Sequence, residues 1–307
     1  MASVSSTNGG THLGSRGKGL RDYLSFIKIE HTLFALPFAY SGMLLAADGW
    51  PGWRVFLLVS LAMVGARTGA MAANRVIDAR LDALNPRTAG REIPSGKLSG
   101  RDGVIVALLG VLTLVVAGAL LNPLTLVLLP VALAFLIAYP YTKRFTWACH
   151  LWLGVTIGAA AAGGYIAVTG AFGLVAWLLW LGVAAWVAGF DVIYALLDLE
   201  FDMANGVHSI PARFGPGGAV RATGALYVLA CLAFLGVAVV TEGTAGWPHE
   251  PLAWPYLIAV FALVLLLGEQ HRQVRKYRDA RALDAFNGNL IVGPLMLVGV
   301  ALGLALR

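Results

Sequence analysis

Charge is what this 307-residue chain has least of: Asp, Glu, Lys and Arg make up 12% of it, about half of the roughly 25% found in ordinary soluble domains. Hydrophobic residues fill 59% and the mean hydropathy is +0.77, so a soluble globular fold is excluded. The two cysteines, Cys149 and Cys231, stand far apart with no CxxC spacing. Neither a disulfide framework nor a zinc site is supported, and both read as packing residues. The first 20 residues, MASVSSTNGGTHLGSRGKGL, lack an apolar core. They read as a disordered tail and not as a cleaved signal peptide, and one membrane domain is expected over 21–307. Acidic residues are outnumbered 16 to 22, a net charge of +6. The basic residues sit in short clusters between apolar stretches, so the excess does not point to nucleic acid as a partner.

A membrane helix needs about 20 mostly apolar residues. Runs of that kind fall at 26–47, 53–77, 103–121, 124–141, 147–168, 172–193, 215–240, 253–269 and 287–306, which predicts an all-α polytopic protein with nine transmembrane helices. Of the 22 Lys and Arg, only Arg54 and Arg307 fall on the side away from the N-terminal tail. Because basic loops stay in the cytoplasm, the N-terminus and the charged loops are expected inside, the C-terminus outside, and the chemistry on the cytoplasmic face. The opposite connections, Asp48–Trp53, Asn122–Pro123, Thr169–Ala171 and Thr241–Pro251, read as simple turns.

Two acidic runs stand at the inner ends of the second and sixth spans. The first holds Asn74, Asp78, Asp82 and Asn85; the second holds Asp191, Tyr194, Asp198, Asp202 and Asn205. Four-residue steps advance about 40° beyond a full helical turn, so each row is expected along one helix face. Both runs contain DxxxDxxN and both are followed by an Ile-Pro pair, Ile93-Pro94 and Ile210-Pro211. The match reads as an internal duplication that sets two acidic helices against each other. Carboxylates at such depth pair, bind ions or line a polar cavity.

Oxygen donors without His or Cys select hard cations. Mg²⁺ takes one or two carboxylates and completes its shell with water and phosphate oxygens, so a diphosphate held through Mg²⁺ between the rows fits better than a closed Ca²⁺ cage. Arg67, Arg87, Arg91, Lys143 and Arg144 stand where such an anion needs cations. Intramembrane acids in duplicated halves also occur in transporters, and a non-catalytic lipid-binding scaffold is a third reading. The acids here end in long inner loops and not at mid-membrane, which favours an enzyme.

At these residues the chain resembles the UbiA superfamily of intramembrane aromatic prenyltransferases. The resemblance rests on NxxxDxxxD (Asn74, Asp78, Asp82), DxxxD (Asp198, Asp202) within GFDVIYALLDLEFD, NGVHSIPARFG (Asn205–Gly215), GREIPSG (Gly90–Gly96), YPxxKR (Tyr139–Arg144) and HTLFALPFA (His31–Ala39). It implies nine helices in two related halves around a central cavity that opens sideways to lipid, and Mg²⁺-dependent transfer of a prenyl chain from its diphosphate. By motif, Asn74, Asp78, Asp82, Asp198 and Asp202 would hold the metal and diphosphate; Arg67, Arg87, Arg91, Lys143 and Arg144 would contact diphosphate or an acidic acceptor. Many members carry Asp after the motif Asn, where this chain has Arg75.

The second acidic stretch is most similar to the bacterial 4-hydroxybenzoate polyprenyltransferase branch and to relatives acting on a naphthoate or futalosine-derived acid, which implies quinone biosynthesis at the bacterial inner membrane. The expected partners are a polyprenyl diphosphate, an aromatic acid and membrane lipid. Tyr139, Tyr194 and Tyr165 are candidates to shield an allylic cation, and Asp191, with Asp78 as rival, is the candidate for handling the acceptor's proton. Glu30 and His31 are polar residues opening the first span, His208 is expected to order the second loop, and Gln270–Arg278 reads as a solvated loop.

Overall fold

The computed structural model describes residues 19–27, 32–242, 253–277 and 288–306, and among them all regular structure is helical. The elements are α1 (Leu20–Ile27), α2 (Thr32–Ala47), α3 (Trp53–Ile77), α4 (Ala79–Leu84), α5 (Gly100–Leu121), α6 (Pro123–Thr142), α7 (Cys149–Thr169), α8 (Leu174–Ala195), α9 (Leu199–Ala204), α10 (Ile210–Glu242), α11 (Ala253–Tyr277) and α12 (Val292–Ala305), with 3-10 turns at Leu196–Asp198 and Asn289–Ile291. Among the described residues seven helices are long and apolar enough to cross a membrane, and two shorter apolar helices, Ala35–Ala47 and Asn289–Ala305, stand where the first and ninth runs were expected. Residues 1–18 of the expected tail lie outside the described residues, as do Glu30 and His31. The tail's last residue, Leu20, already begins α1. The first run is also shorter than expected: Phe26 and Ile27 belong to α1, where Phe26 packs against Ala72 and Leu98.

Local chemistry explains several helix ends. Asn122 ends α5 and caps α6: its side chain accepts from Thr125 N, and Thr125 returns the bond to Asn122 N, with Pro123 at the first helical position. Its amide also donates to the carbonyls of Ile166 and Ala167 at 2.8 and 3.2 Å, joining the Gly170 N–H already on Ile166 and supplying a donor to Ala167 in the last turn of α7. One residue thus joins three helix ends, and the expected simple turn is also a clamp.

Large apolar side chains such as Leu112, Val127, Ile258 and Phe261 are exposed. That suits lipid as solvent, where helices hold together by close packing and not by burial from water. α8 is the central helix, with 67% of its apolar window buried against 11% for α6. At the crossing of α2 and α7 a Cβ on Gly164 would meet the Ala39 carbonyl oxygen at 1.9 Å, and one on Gly42 would meet that of Ala161 at 2.2 Å; only glycine permits this approach.

Polar groups within the bundle find one another. Trp186 Nε1 donates to Asn289 Oδ1 at 2.7 Å, and the Tyr227 hydroxyl donates to Gln270 Oε1 at 3.1 Å. The expected solvated loop from Gln270 is corrected: residues 270–277 continue α11, because Leu263, Leu267, Gln270 and Val274 recur at helical spacing and are all buried.

Candidate active site

The acidic runs do not form two straight helical rows. α3 stops at Ile77 and Asp78 takes φ −91°, ψ 1°; α8 gives way to a 3-10 turn in which Asp198 takes φ −107°, ψ 5°. These are bridge-region values, sparsely populated and frequent at active sites. Each break is followed by a six-residue helix, ARLDAL and LEFDMA, that ends at an Asn, Asn85 and Asn205. The matched motifs therefore carry matched breaks, and the single-face expectation fails because the backbone turns at the acids themselves.

Around the breaks lies a cavity of about 200 Å³ whose lining includes Asn74, Asp78, Asp82, Arg87, Arg91, Tyr139, Lys143, His150, Asp191, Tyr194, Asp198 and Asp202. Both acidic runs thus face one hollow, at the bundle end where α3, α6 and α8 finish and α7 begins. The Asp78 and Asp82 side chains are 1% and 8% exposed, a depth at which a charge needs a partner.

Each has one. Lys143 Nζ donates to Asp78 Oδ2 at 2.5 Å, and Asn74 Nδ2 reaches the same oxygen at 3.2 Å. Arg91 Nη1 donates to both oxygens of Asp82, at 2.7 and 2.9 Å. Arg87 crosses from the first run's loop to the second run: its Nε donates to Asp198 Oδ1 at 2.8 Å, its Nη2 pairs with Oδ2, and its Nη1 donates to the Tyr194 hydroxyl at 2.7 Å. Burial opposes the charge on Arg87, but Asp198 and Tyr194 outweigh it and hold the guanidinium above its ordinary pKa. Asn85 Nδ2 adds a second bridge to Asp198 Oδ1 at 3.0 Å. Arg144 donates to the Ile77 carbonyl at 2.9 Å and lies 3.5 Å from Asp78 Oδ1.

Other candidates sit apart. Arg67 is two turns from Asn74 along α3, about 10 Å; it does not line the cavity, and its Nε is buried without a hydrogen-bond partner. Tyr165 packs beside Gly173 and Trp180 at the far end of α7, away from the acids, which removes it as a cation shield; Tyr139 and Tyr194 line the cavity. Arg75 is buried outside the lining, with Nε and Nη1 unpartnered. His208 lines the cavity and orders the loop through its backbone, its N–H bonding the Lys143 carbonyl at 2.7 Å.

Among the cavity residues that escaped the sequence reading, one is ionisable. His150 is buried at the start of α7, and its Nδ1 lies 2.7 Å from Asp191 Oδ2. Nothing in the local pattern marks it except that an ionisable group opens an apolar span, which is itself a signal of function.

No group of three or more His, Cys, Asp or Glu side chains among the described residues is arranged to hold a metal unaided. The donors are carboxylate and amide oxygens, and Asp78 Oδ1 is buried without a hydrogen bond. Such a set fits an ion that takes few protein carboxylates and draws its remaining ligands from phosphate, as Mg²⁺ does.

Fold and site together define a polytopic helical membrane protein with an acid- and arginine-lined cavity at one end of its bundle. Residues 35–292 match the UbiA prenyltransferase family, and the chain belongs to that family; it is a prenyltransferase. It is 30% identical over 296 residues to a 4-hydroxybenzoate octaprenyltransferase of Aeromonas hydrophila, covering 95% of this chain and 99% of the relative. It is 33% identical to the enzyme of that name from Paracidovorax citrulli, covering 87% of each. Among solved structures it resembles the apo UbiA homolog from Aeropyrum pernix K1, with TM-score 0.79, 34% identity, and coverage of 89% of this chain and 97% of the other. A UbiA homolog from Archaeoglobus fulgidus bound to GPP and Mg²⁺ shares the fold at TM-score 0.72 and 15% identity, with 93% of this chain and 99% of the other covered.

Proposed function

We propose that this prenyltransferase transfers a polyprenyl chain from polyprenyl diphosphate to an aromatic acid, either 4-hydroxybenzoate or a naphthoate or futalosine-derived acceptor, in isoprenoid quinone biosynthesis. The observation that carries the reading is the single cavity closed from two sides by Asp78 and Asp198 at matched helix breaks, with Arg87 of one run bonded to Asp198 of the other. The relatives named 4-hydroxybenzoate octaprenyltransferase support the acceptor class. Asn74, Asp78, Asp82, Asp198 and Asp202 would hold Mg²⁺ together with diphosphate. When bound, the metal would neutralise charge on the departing diphosphate.

The chain's own residues do the rest. Arg87, Arg91 and Lys143 are paired to carboxylates before substrate arrives. When diphosphate binds, their donors would turn to its oxygens, and the carboxylates they release are those that would hold the metal, so no buried charge would be left uncompensated. Arg144 steadies the α3 end, Arg67, outside the cavity lining, takes no part in this reading, and Tyr139 and Tyr194 present aromatic faces to the allylic cation. Nine spans in two related halves, with the N-terminus and acidic loops cytoplasmic in a bacterial inner membrane, complete the proposal.

The test is incubation of the purified protein with labelled polyprenyl diphosphate, Mg²⁺ and each candidate acid. Diphosphate release coupled to acceptor alkylation is expected, abolished by EDTA and restored by Mg²⁺. Metal-independent turnover, or diphosphate release without alkylation of any of the acids, would overturn the reading.

A further inference from the structure

The cavity contains an Asp-His pair that none of the diphosphate-binding assignments uses. His150 is 4% exposed, and its Nδ1 sits 2.7 Å from Asp191 Oδ2. Since an ionised carboxylate only accepts, the proton of that bond lies on Nδ1, and Asp191 fixes both the ring's orientation and its tautomer. The other nitrogen, Nε2, is buried with no hydrogen-bond partner. Buried polar atoms are nearly always satisfied, so an orphan in a cavity wall marks a place where something else binds. Next to it, Cys149 Sγ donates to the His208 carbonyl at 3.3 Å and ties the first turn of α7 to the second acidic loop. The cations of the site are committed elsewhere: Arg87 to Asp198, Arg91 to Asp82, Lys143 to Asp78.

We propose that His150, oriented by Asp191, is the base that removes the proton an aromatic acceptor loses on prenylation. The proposal rests on the prenyl-transfer reading above and assigns the proton's destination within it. The ring carbon bonds to C1 of the prenyl group, and the C1–O bond breaks with its electron pair leaving on diphosphate. The C–H bond at the alkylated carbon then breaks, its pair restores aromaticity, and its proton passes to Nε2. The resulting imidazolium stands against the Asp191 carboxylate until product release returns the proton to water. Asp191, the residue expected from sequence to handle this proton, becomes a positioning residue one step removed from it.

The experiment compares wild type with His150→Asn and His150→Gln, using farnesyl diphosphate, Mg²⁺ and whichever aromatic acid the wild type alkylates, in ring-protiated and ring-deuterated forms. Asparagine can keep the hydrogen bond to Asp191 while lacking a basic nitrogen. Both variants are expected to lose about 100-fold or more in kcat, the range for a missing general base, with KM for the diphosphate within about 3-fold of wild type. Both should show a primary isotope effect larger than that of wild type, because proton removal has become the slow step. His150→Asn at wild-type rate, or slow variants with an unchanged isotope effect, would overturn the proposal. If neither variant folds as a monodisperse protein, Asp191→Asn carries the same two readouts, with the same results counting for and against. A wild type that alkylates no aromatic acid sinks the functional reading itself, whereas an active wild type beside fully active variants sinks only the role of His150.

Discussion

Arg87 and Asp198 meet where the loop of the first acidic run binds the second run, through two nitrogens on two oxygens with Asn85 alongside. Such a bidentate pair holds two chain segments in register as well as two charges. Asp198→Ala and Asp78→Ala are each expected to lower Mg²⁺-dependent transfer by about 100-fold or more, the scale for losing a group that stabilises developing charge. Steady-state assays across a Mg²⁺ titration would check this, and wild-type turnover in either variant would count against the site. Arg87→Ala should raise KM for the prenyl diphosphate more than KM for the acceptor, since on the proposed reading Arg87 donates to phosphate and not to the acceptor. The same assays with each substrate varied in turn would show it.

At the scale of elements, the helices approach through small residues, and α7 offers a controlled comparison. A Cβ at Gly164 would overlap the Ala39 carbonyl, whereas one at Gly163 would meet nothing within 4 Å. Gly164→Ala must push α2 and α7 apart and is expected to destabilise by about 1–3 kcal/mol, the usual cost of overpacking. Gly163→Ala should be neutral or slightly stabilising, because alanine is the better helix former. Thermal unfolding of the detergent-solubilised protein separates the two, and equal melting temperatures would contradict the crossing. Gly215 is a second element-scale position: it takes φ +69° inside α10, just before Pro216, where the helix is kinked. Gly215→Ala has open space around it, so its expected cost of about 1–3 kcal/mol is conformational, since φ +69°, ψ 174° is a region almost confined to glycine.

At the scale of the whole molecule, the asymmetry of basic residues predicts an inward N-terminus and an outward C-terminus. Reporter fusions at the two termini, read for cytoplasmic or external activity, should give opposite answers; the same side for both would contradict nine crossings. Seven of the nine expected spans, the acidic runs and the family were legible in sequence, because lipid imposes a length and an apolarity on each crossing and because an acid inside such a run stands out against it. Local pattern did not reveal where the helices stop. Asp78 and Asp198 lie in runs that continue with helical spacing, yet the backbone leaves the helix at both.

Sequence alone determined that the chain lies in a membrane, which residues carry charge there, and that two similar runs hold the acids. Each of these is a property of neighbours along the chain. Tertiary structure alone decided that Arg87 would bind the distant Asp198 and Lys143 the distant Asp78, that Tyr165 would end up far from the acids, and that His150 would stand beside Asp191. Those outcomes depend on which helix ends meet in space, and that follows from how closely glycine and alanine let the helices pack, not from the spacing of any one segment.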